Sequence, residues 1–308
     1  MQINVQAIVD ALREECGKPA SPIYSFHVYA EMLQCSLRNG IMPKSVLEIG
    51  PGASLGSLLC FAAMGCERVA GVELSKIEKP STEFISLLCD YLAAVSGFRW
   101  WRSYAADSQE STVNYPNLWD NVVFQQIANK VDCRDGTPIH EMPFQDNAFN
   151  FAYSIAVLEH LSNPEKSISK LFSVLQPGGI TVHEIDLRDH DLDDIGRSRN
   201  HPLAFLNISK SDYDQGPVEQ YSKDKSLSNR LESAWGNLGV WCNRLRRSDW
   251  EALFDSAGFT DVSTEVICQV DRDLVNRDAM VEPFQSKEID DLTAVVIRLT
   301  ARKAAPTM

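Results

Sequence analysis

The chain has 308 residues, enough for one large decorated α/β domain or for two domains of roughly 150 residues each. With 44% hydrophobic and 23% charged residues it can bury a sizeable core, which excludes a disordered, collagenous or low-complexity chain. The formal net charge of −13 repels phosphate backbones and anionic lipid surfaces, so nucleic acid is not an expected partner.

Ile3, Ala7, Ile8, Leu12 and Cys16 fall on one helical face, and residues 24–37 offer a second helix after Ser21-Pro22. These form an expected helical cover over 1–44. From Ser45 the pattern becomes strand, turn, helix. Val46-Leu47-Glu48-Ile49 leads into Gly50-Pro51-Gly52-Ala53-Ser54-Leu55-Gly56, and apolar positions follow through Met64. A second strand, 68–72, ends at Glu73, and Ser81 can cap a helix reaching Val95. The aromatic-rich stretch 97–129, with Trp100, Trp101, Tyr104, Tyr115 and Trp119, reads as crossover packing ahead of a third strand at 131–133. A fourth strand over 149–155, a helix over 164–175, a Gln176-Pro177-Gly178-Gly179 turn and a fifth strand over 180–185 continue the alternation of a parallel sheet. Residues 187–243 break that rhythm with charges and turn formers and are expected to be an insertion. A helix over 248–257 and strands over 262–268 and 293–300 complete the main domain, 45–186 plus 244–303.

The eight cysteines contain no Cys-x-x-Cys pair, so the spacing gives neither a zinc site nor a disulfide framework. The first residues lack a basic region followed by an apolar run, and the most apolar stretch, 55–64, is about half of what a bilayer requires. The expectation is a cytoplasmic protein with no membrane span.

A glycine turn after a buried strand lets backbone approach a bound nucleoside. A dinucleotide fingerprint would need Gly at position 55, where Leu55 stands, and Glu48 would repel a pyrophosphate while suiting a cationic ligand. Both residues argue against NAD. The residues VLEIGPGASLG (46–56) resemble the first motif of class I S-adenosylmethionine-dependent methyltransferases, and 142–180 resemble the central signature of their type 11 subgroup. The resemblance implies a Rossmann-like α/β fold of seven strands, with helices on both faces and the last strand antiparallel. It further implies that S-adenosylmethionine is held by Glu48, Gly50, Gly52, Glu73, Asp135, Gly136 and Ser154, and that S-adenosylhomocysteine is released. Glu73 would take the ribose hydroxyls and Asp135 the adenine amino group, with Asp132 as the alternative register.

For the chemistry, Glu159-His160 follow the fourth strand, and His160 can shape the rim of the site. His190, with Asp186 or Asp189 fixing its tautomer, is the candidate base for a hydroxyl. Asp186, Asp189, Asp191, Asp193 and Asp194 have oxygen donors suited to Mg²⁺, but a charge run reads as solvated, and no metal is expected. Arg244, Arg246 and Arg247 are candidates for an anionic acceptor group or for local charge balance. Residues 183–190 and 241–259 resemble methyltransferases of bacterial sugar and cell-surface glycan biosynthesis. The expected reaction is O-methylation of a small molecule or saccharide. N-methylation of a small amine, a non-catalytic cofactor-binding scaffold and an NAD-dependent oxidoreductase are its rivals, and a homodimer is an expected assembly. The insertion would wall the acceptor site with Phe205, Tyr213, Tyr221, Trp235 and Trp241.

Overall fold

The computed structural model of the chain describes residues 21–52, 55–77, 80–81, 84–85, 88, 131–190, 201–213 and 241–305. The helix expected over 3–16, the aromatic stretch 97–129, and Tyr221 and Trp235 lie outside them.

Helix α1 (Pro22–Arg38) starts where Ser21 Oγ accepts the Tyr24 N–H at 3.0 Å and Pro22 fills the first helical position. Strand β1 (Ser45–Ile49) is buried at every residue, as a central parallel strand must be. Its start is fixed by Asn150 Oδ1, which accepts from the N–H groups of Lys44 and Ser45. Helix α2 (Gly56–Ala63) and strands β2 (Arg68–Val72), β3 (Asp132–Arg134) and β4 (Phe149–Ile155) follow, then helix α3 (Pro164–Val174) and strand β5 (Leu175–Asp186). Helix α4 (Arg247–Ser256), strand β6 (Phe259–Gln269), helix α5 (Ile289–Thr293) and strand β7 (Ala294–Lys303) end the chain order.

The strands make one seven-stranded sheet in the order β3-β2-β1-β4-β5-β7-β6. Strands β1 to β5 pair in parallel, and β7 runs antiparallel between β5 and β6. This is the expected Rossmann-like sheet. Strand β5 is longer than the sequence suggests because the chain pairs Leu175 with Phe149 as soon as α3 stops. Gly179 makes this possible, since a Cβ there would lie 2.9 Å from Gln176 O and 3.1 Å from Asn150 O.

Alternate residues on each strand feed two cores. Val46, Phe151, Tyr153 and Val182 pack on one face with α1 and α2, and Leu47, Ile49, Ile185 and Leu299 on the other with α3 and α4. A third cluster joins Leu203, Phe205, Leu206 and Tyr213 to Cys242, Phe284, Leu292 and Val295. The buried apolar side chains of the described part of the insertion therefore belong to a core. Phe205 and Leu206 are fully buried, which corrects the reading of Phe205 and Tyr213 as an acceptor wall. Among the described residues no helix is long and apolar enough to cross a membrane.

Candidate active site

The order of the sheet reverses between β1 and β4, one strand leading out to β2 and the other to β5. Ligands of open α/β sheets sit at the carboxyl ends of the strands flanking such a point. A cavity opens there, lined by Gly50, Val72, Glu73, Ile139, Val157 and His160 among others.

The two glycines of the turn after β1 have different reasons to be glycine. Both adopt positive φ, +69° at Gly50 and +67° at Gly52, where a side chain is strained. At Gly50 a Cβ would also lie 2.4 Å from Val157 Cγ2, whereas at Gly52 no atom of the described residues lies within 4 Å. Gly50 is closed by packing, and Gly52 leaves open space above the turn. The Gly52 N–H donates to Glu73 Oε2 at 3.0 Å, and the Ser75 N–H and hydroxyl each donate to Glu73 Oε1 at 3.0 Å. Backbone bonds from Glu73 N to Arg134 O and from Thr137 N to Glu73 O then bring the Asp135-Gly136 turn alongside. Asp132 lies within β3 and pairs with Arg134 at 2.9 Å, so of the two registers Asp135 is the acid at the strand end. Gly52, Glu73, Asp135 and Gly136 thus form one group.

Glu48 and Ser154 stand elsewhere. Glu48 points to the α2 face, where its carboxyl accepts from Ser57 Oγ at 2.6 Å. Burial pushes it up to about 7 and the charge of Glu73 adds to this, while the hydroxyls of Ser57 and Tyr153 pull the other way. Ser154 is fully buried on the opposite face, its Oγ 2.7 Å from His183 Nδ1, and Thr181 Oγ1 engages His183 Nε2. Neither residue lines the cavity. The alternation of β1 explains the first placement, since Ile49 rather than Glu48 turns its side chain to the cavity, and the pairing of Ser154 with His183 across β4 and β5 explains the second.

At the carboxyl ends of β4 and β5 the structure brings the three expected residues together. The His160 ring centroid is 5.0 Å from that of His190, and His190 Nε2 is 3.4 Å from Asp186 Oδ2. His160 Nδ1 donates to Trp241 O at 2.8 Å, because a carbonyl can only accept. Burial holds His160 down to about 4, leaving it neutral near pH 7. Burial alone would raise Asp186, but the Arg188 guanidinium, gripping it through Nε and Nη2 at 2.6–3.1 Å, and His190 hold it well below the usual carboxylate range. That grip takes up Asp186, Asp189 is buried, and Asp191, Asp193 and Asp194 lie outside the described residues. Glu159 is buried, accepts the Asp186 N–H at 3.3 Å and is pushed well above the carboxylate range by burial.

Two of the three arginines are structural. The Arg246 guanidinium is wholly buried and donates to the carbonyls of Leu187, Leu292 and Ala294. Arg244 Nη1 donates to the Phe205 and Ile208 carbonyls at 3.0 and 2.7 Å. Carbonyl oxygens left over at strand and loop ends, not an anionic acceptor, are what these guanidiniums satisfy. Sequence reasoning missed Val157, and it missed Cys242, which the structure places within 4.8 Å, ligand atom to ligand atom, of His160 and His190. The first was hinted at by its place just after β4, beside the strained φ of +51° at Ala156. The second had no local signal, since its neighbours come from distant segments.

A family model described as a methyltransferase domain matches residues 24–264. A sterol 4-C-methyltransferase of Caenorhabditis elegans is 30% identical over 104 residues, a stretch that spans 32% of this chain and 31% of that protein. Among solved structures, phosphoethanolamine N-methyltransferase 2 of Haemonchus contortus in complex with S-adenosyl-L-methionine aligns at a TM-score of 0.45 and 15% identity, over 90% of this chain and 52% of that one. An S-adenosylmethionine-dependent methyltransferase of Mesorhizobium loti aligns at a TM-score of 0.42 and 14% identity, over 88% and 97% of the two chains. With the family model covering well over half of its length, the chain belongs to the methyltransferase domain family.

Proposed function

We propose that the chain transfers a methyl group from S-adenosylmethionine to an oxygen of a small molecule or saccharide. The observation that carries this is the joining of Gly52, Glu73 and Asp135-Gly136 into one group at the switch point, with His160, Asp186 and His190 gathered at the neighbouring strand ends. The residues fit the cofactor: the turn leaves open space above Gly52, and a buried carboxylate stands beside it for the ribose hydroxyls. When bound, the cofactor supplies a methyl group already activated by its sulfonium.

What remains for the protein is alignment and, for a hydroxyl, removal of a proton. His160, on the cavity wall, meets the acceptor, and His190 and Asp186 stand behind it as positioning residues. This cluster favours oxygen over nitrogen, because an unprotonated amine attacks without help from a base. The insertion 187–243 adds acceptor recognition, since it leaves β5 at the ligand edge.

The test is release of S-adenosylhomocysteine over panels of sugars, other small hydroxyl compounds and small amines. Release with hydroxyl compounds supports the reading, release with amines alone moves it to N-methylation, and cofactor binding without release under any panel leaves a scaffold.

A further inference from the structure

We propose that His160, His190 and Cys242 form a binding site for a divalent transition metal of zinc type. The three residues reach this point from separate segments: the turn after β4, the exit of β5, and the return of the insertion ahead of α4. A ligand atom of each lies within 4.8 Å of the other two. In a tetrahedral zinc site, with bonds of about 2.0–2.1 Å to nitrogen and 2.3 Å to sulfur, donors stand about 3.3–3.6 Å apart. Small side-chain rotations close that difference. Two imidazoles and a thiolate are the donors of a borderline-soft ion, not of Mg²⁺ or Ca²⁺.

The surroundings supply a second, independent observation. Metal-bound histidines usually donate their other ring nitrogen to a carbonyl or carboxylate, which fixes the ring and the tautomer. His160 has such a partner here, its Nδ1 donating to Trp241 O at 2.8 Å, and His190 Nε2 stands 3.4 Å from Asp186 Oδ2, at ion-pair distance and not in a hydrogen bond with it. Asp186 is oriented in turn by Arg188 and, through its N–H, by Glu159. The return segment is also already stitched to the turn, with Asn243 N donating to Glu159 O at 2.7 Å and Asn243 Nδ2 to Leu158 O at 2.8 Å. Cys242 is held by its N–H on Tyr213 Oη at 3.1 Å. A bound ion completes this stitching beside the cavity that His160 lines, and with its Nε2 on the ion His160 would act on the acceptor through the ion and not as a free base. That the wall faces a methyl acceptor rests on the proposed function; that it holds an ion does not.

The experiment is a cobalt titration of tag-free, chelator-treated full-length protein, read in the near ultraviolet and the visible, with S-adenosylhomocysteine binding measured in parallel. The expected result is one equivalent of Co²⁺ with a thiolate charge-transfer band and tetrahedral visible bands. Cys242→Ser should lose the charge-transfer band. Asp186→Asn should weaken zinc about 10–100-fold in competition with a chromophoric chelator, and His160→Ala and His190→Ala should weaken it at least as much. Absence of a thiolate band in the unmodified protein overturns the proposal, as does a band that survives Cys242→Ser and so belongs to another cysteine. S-adenosylhomocysteine binding without the band removes the metal site and leaves the methyltransferase reading standing. The band without cofactor binding does the reverse.

Discussion

Glu73 accepts a hydrogen bond from the backbone N–H of Gly52 at 3.0 Å, so the carboxylate that ends β2 and the turn that ends β1 are one unit. A carboxylate already oriented by backbone donors is prepared for ribose hydroxyls without further ordering. Glu73→Ala removes the charged partner of charge-assisted bonds, each typically worth about 1.5–3 kcal/mol. Calorimetry should show S-adenosylhomocysteine binding at least roughly tenfold weaker. Unchanged affinity, or tight uptake of NADH in its place, would sink the assignment.

The glycines of the same turn should separate stability from binding. Gly50→Ala sets a Cβ 2.4 Å from Val157 Cγ2 at a positive φ, and should cost about 2–4 kcal/mol in urea unfolding. Val157→Ala opens that contact, so the double variant should be less destabilised than the sum of the two singles. Gly52→Ala meets no atom of the described residues within 4 Å and should cost only about 1–2 kcal/mol of backbone strain, while Gly52→Val should abolish cofactor binding in a chain that still folds. Strict additivity at Gly50 and Val157 would refute the clash.

Glu48 makes stability depend on pH in a direction that can be stated in advance. Burial pushes it up to about 7 from an ordinary value of 4.5, so across that window the folded chain holds a proton that the unfolded chain has released. Its contribution is whole below 4.5 and is lost as pH rises through about 7. Glu48→Gln keeps a partner for Ser57 without the titration. Comparing urea unfolding at about pH 5 and about pH 8, the variant should lose less stability than the wild type, by up to about 3 kcal/mol. Glu159 has the same sign, so some slope remains. Identical slopes in the two proteins would show that Glu48 titrates as an exposed acid.

The parts of this molecule legible in its sequence are those whose signal is local. The buried run 46–49, the glycine turn and the acid at the end of β2 lie close together in sequence, and each carries a pattern that burial or positive φ enforces. What escaped was set by contacts across long separations. Ser154 is absorbed by His183 because β4 and β5 align those two residues, a register that neither strand reveals alone. Arg244 and Arg246 read as surface charge because a guanidinium usually is; only the assembled chain shows the orphan carbonyls that hold them inside. The core of 201–213 was hidden for the same reason, its partners lying at 242 and 280–295.

The acceptor-side histidines should act on turnover and not on cofactor affinity. His160 lines the cavity and His190 packs against it, while the group proposed to hold the cofactor is Gly52, Glu73 and Asp135-Gly136. His160→Ala and His190→Ala should each lower methyl transfer by about 10²–10⁴-fold, with S-adenosylhomocysteine affinity within a few-fold of wild type. Equal loss of binding and turnover would mark these residues as structural supports only.

Arg244 should behave as a structural pin and not as an acceptor contact. Its guanidinium lies 4.5 Å from the ring centroid of Tyr213 and 5.3 Å from that of Phe284, and its Nη1 donates to the Phe205 and Ile208 carbonyls. It therefore ties the 201–213 segment to the 280–295 region from a position that is only 7% exposed. Arg244→Ala leaves two carbonyls without their charged donor and opens a gap between two rings, and should cost about 3–5 kcal/mol. Arg244→Lys keeps the charge but not the planar fork, and should recover less than half of that loss. Because no part of this pin touches Glu73 or Gly52, the surviving folded protein should bind S-adenosylhomocysteine as the wild type does, measured at a temperature well below the lowered midpoint. A variant of wild-type stability with a raised KM for the acceptor would instead return Arg244 to the role of an anion contact.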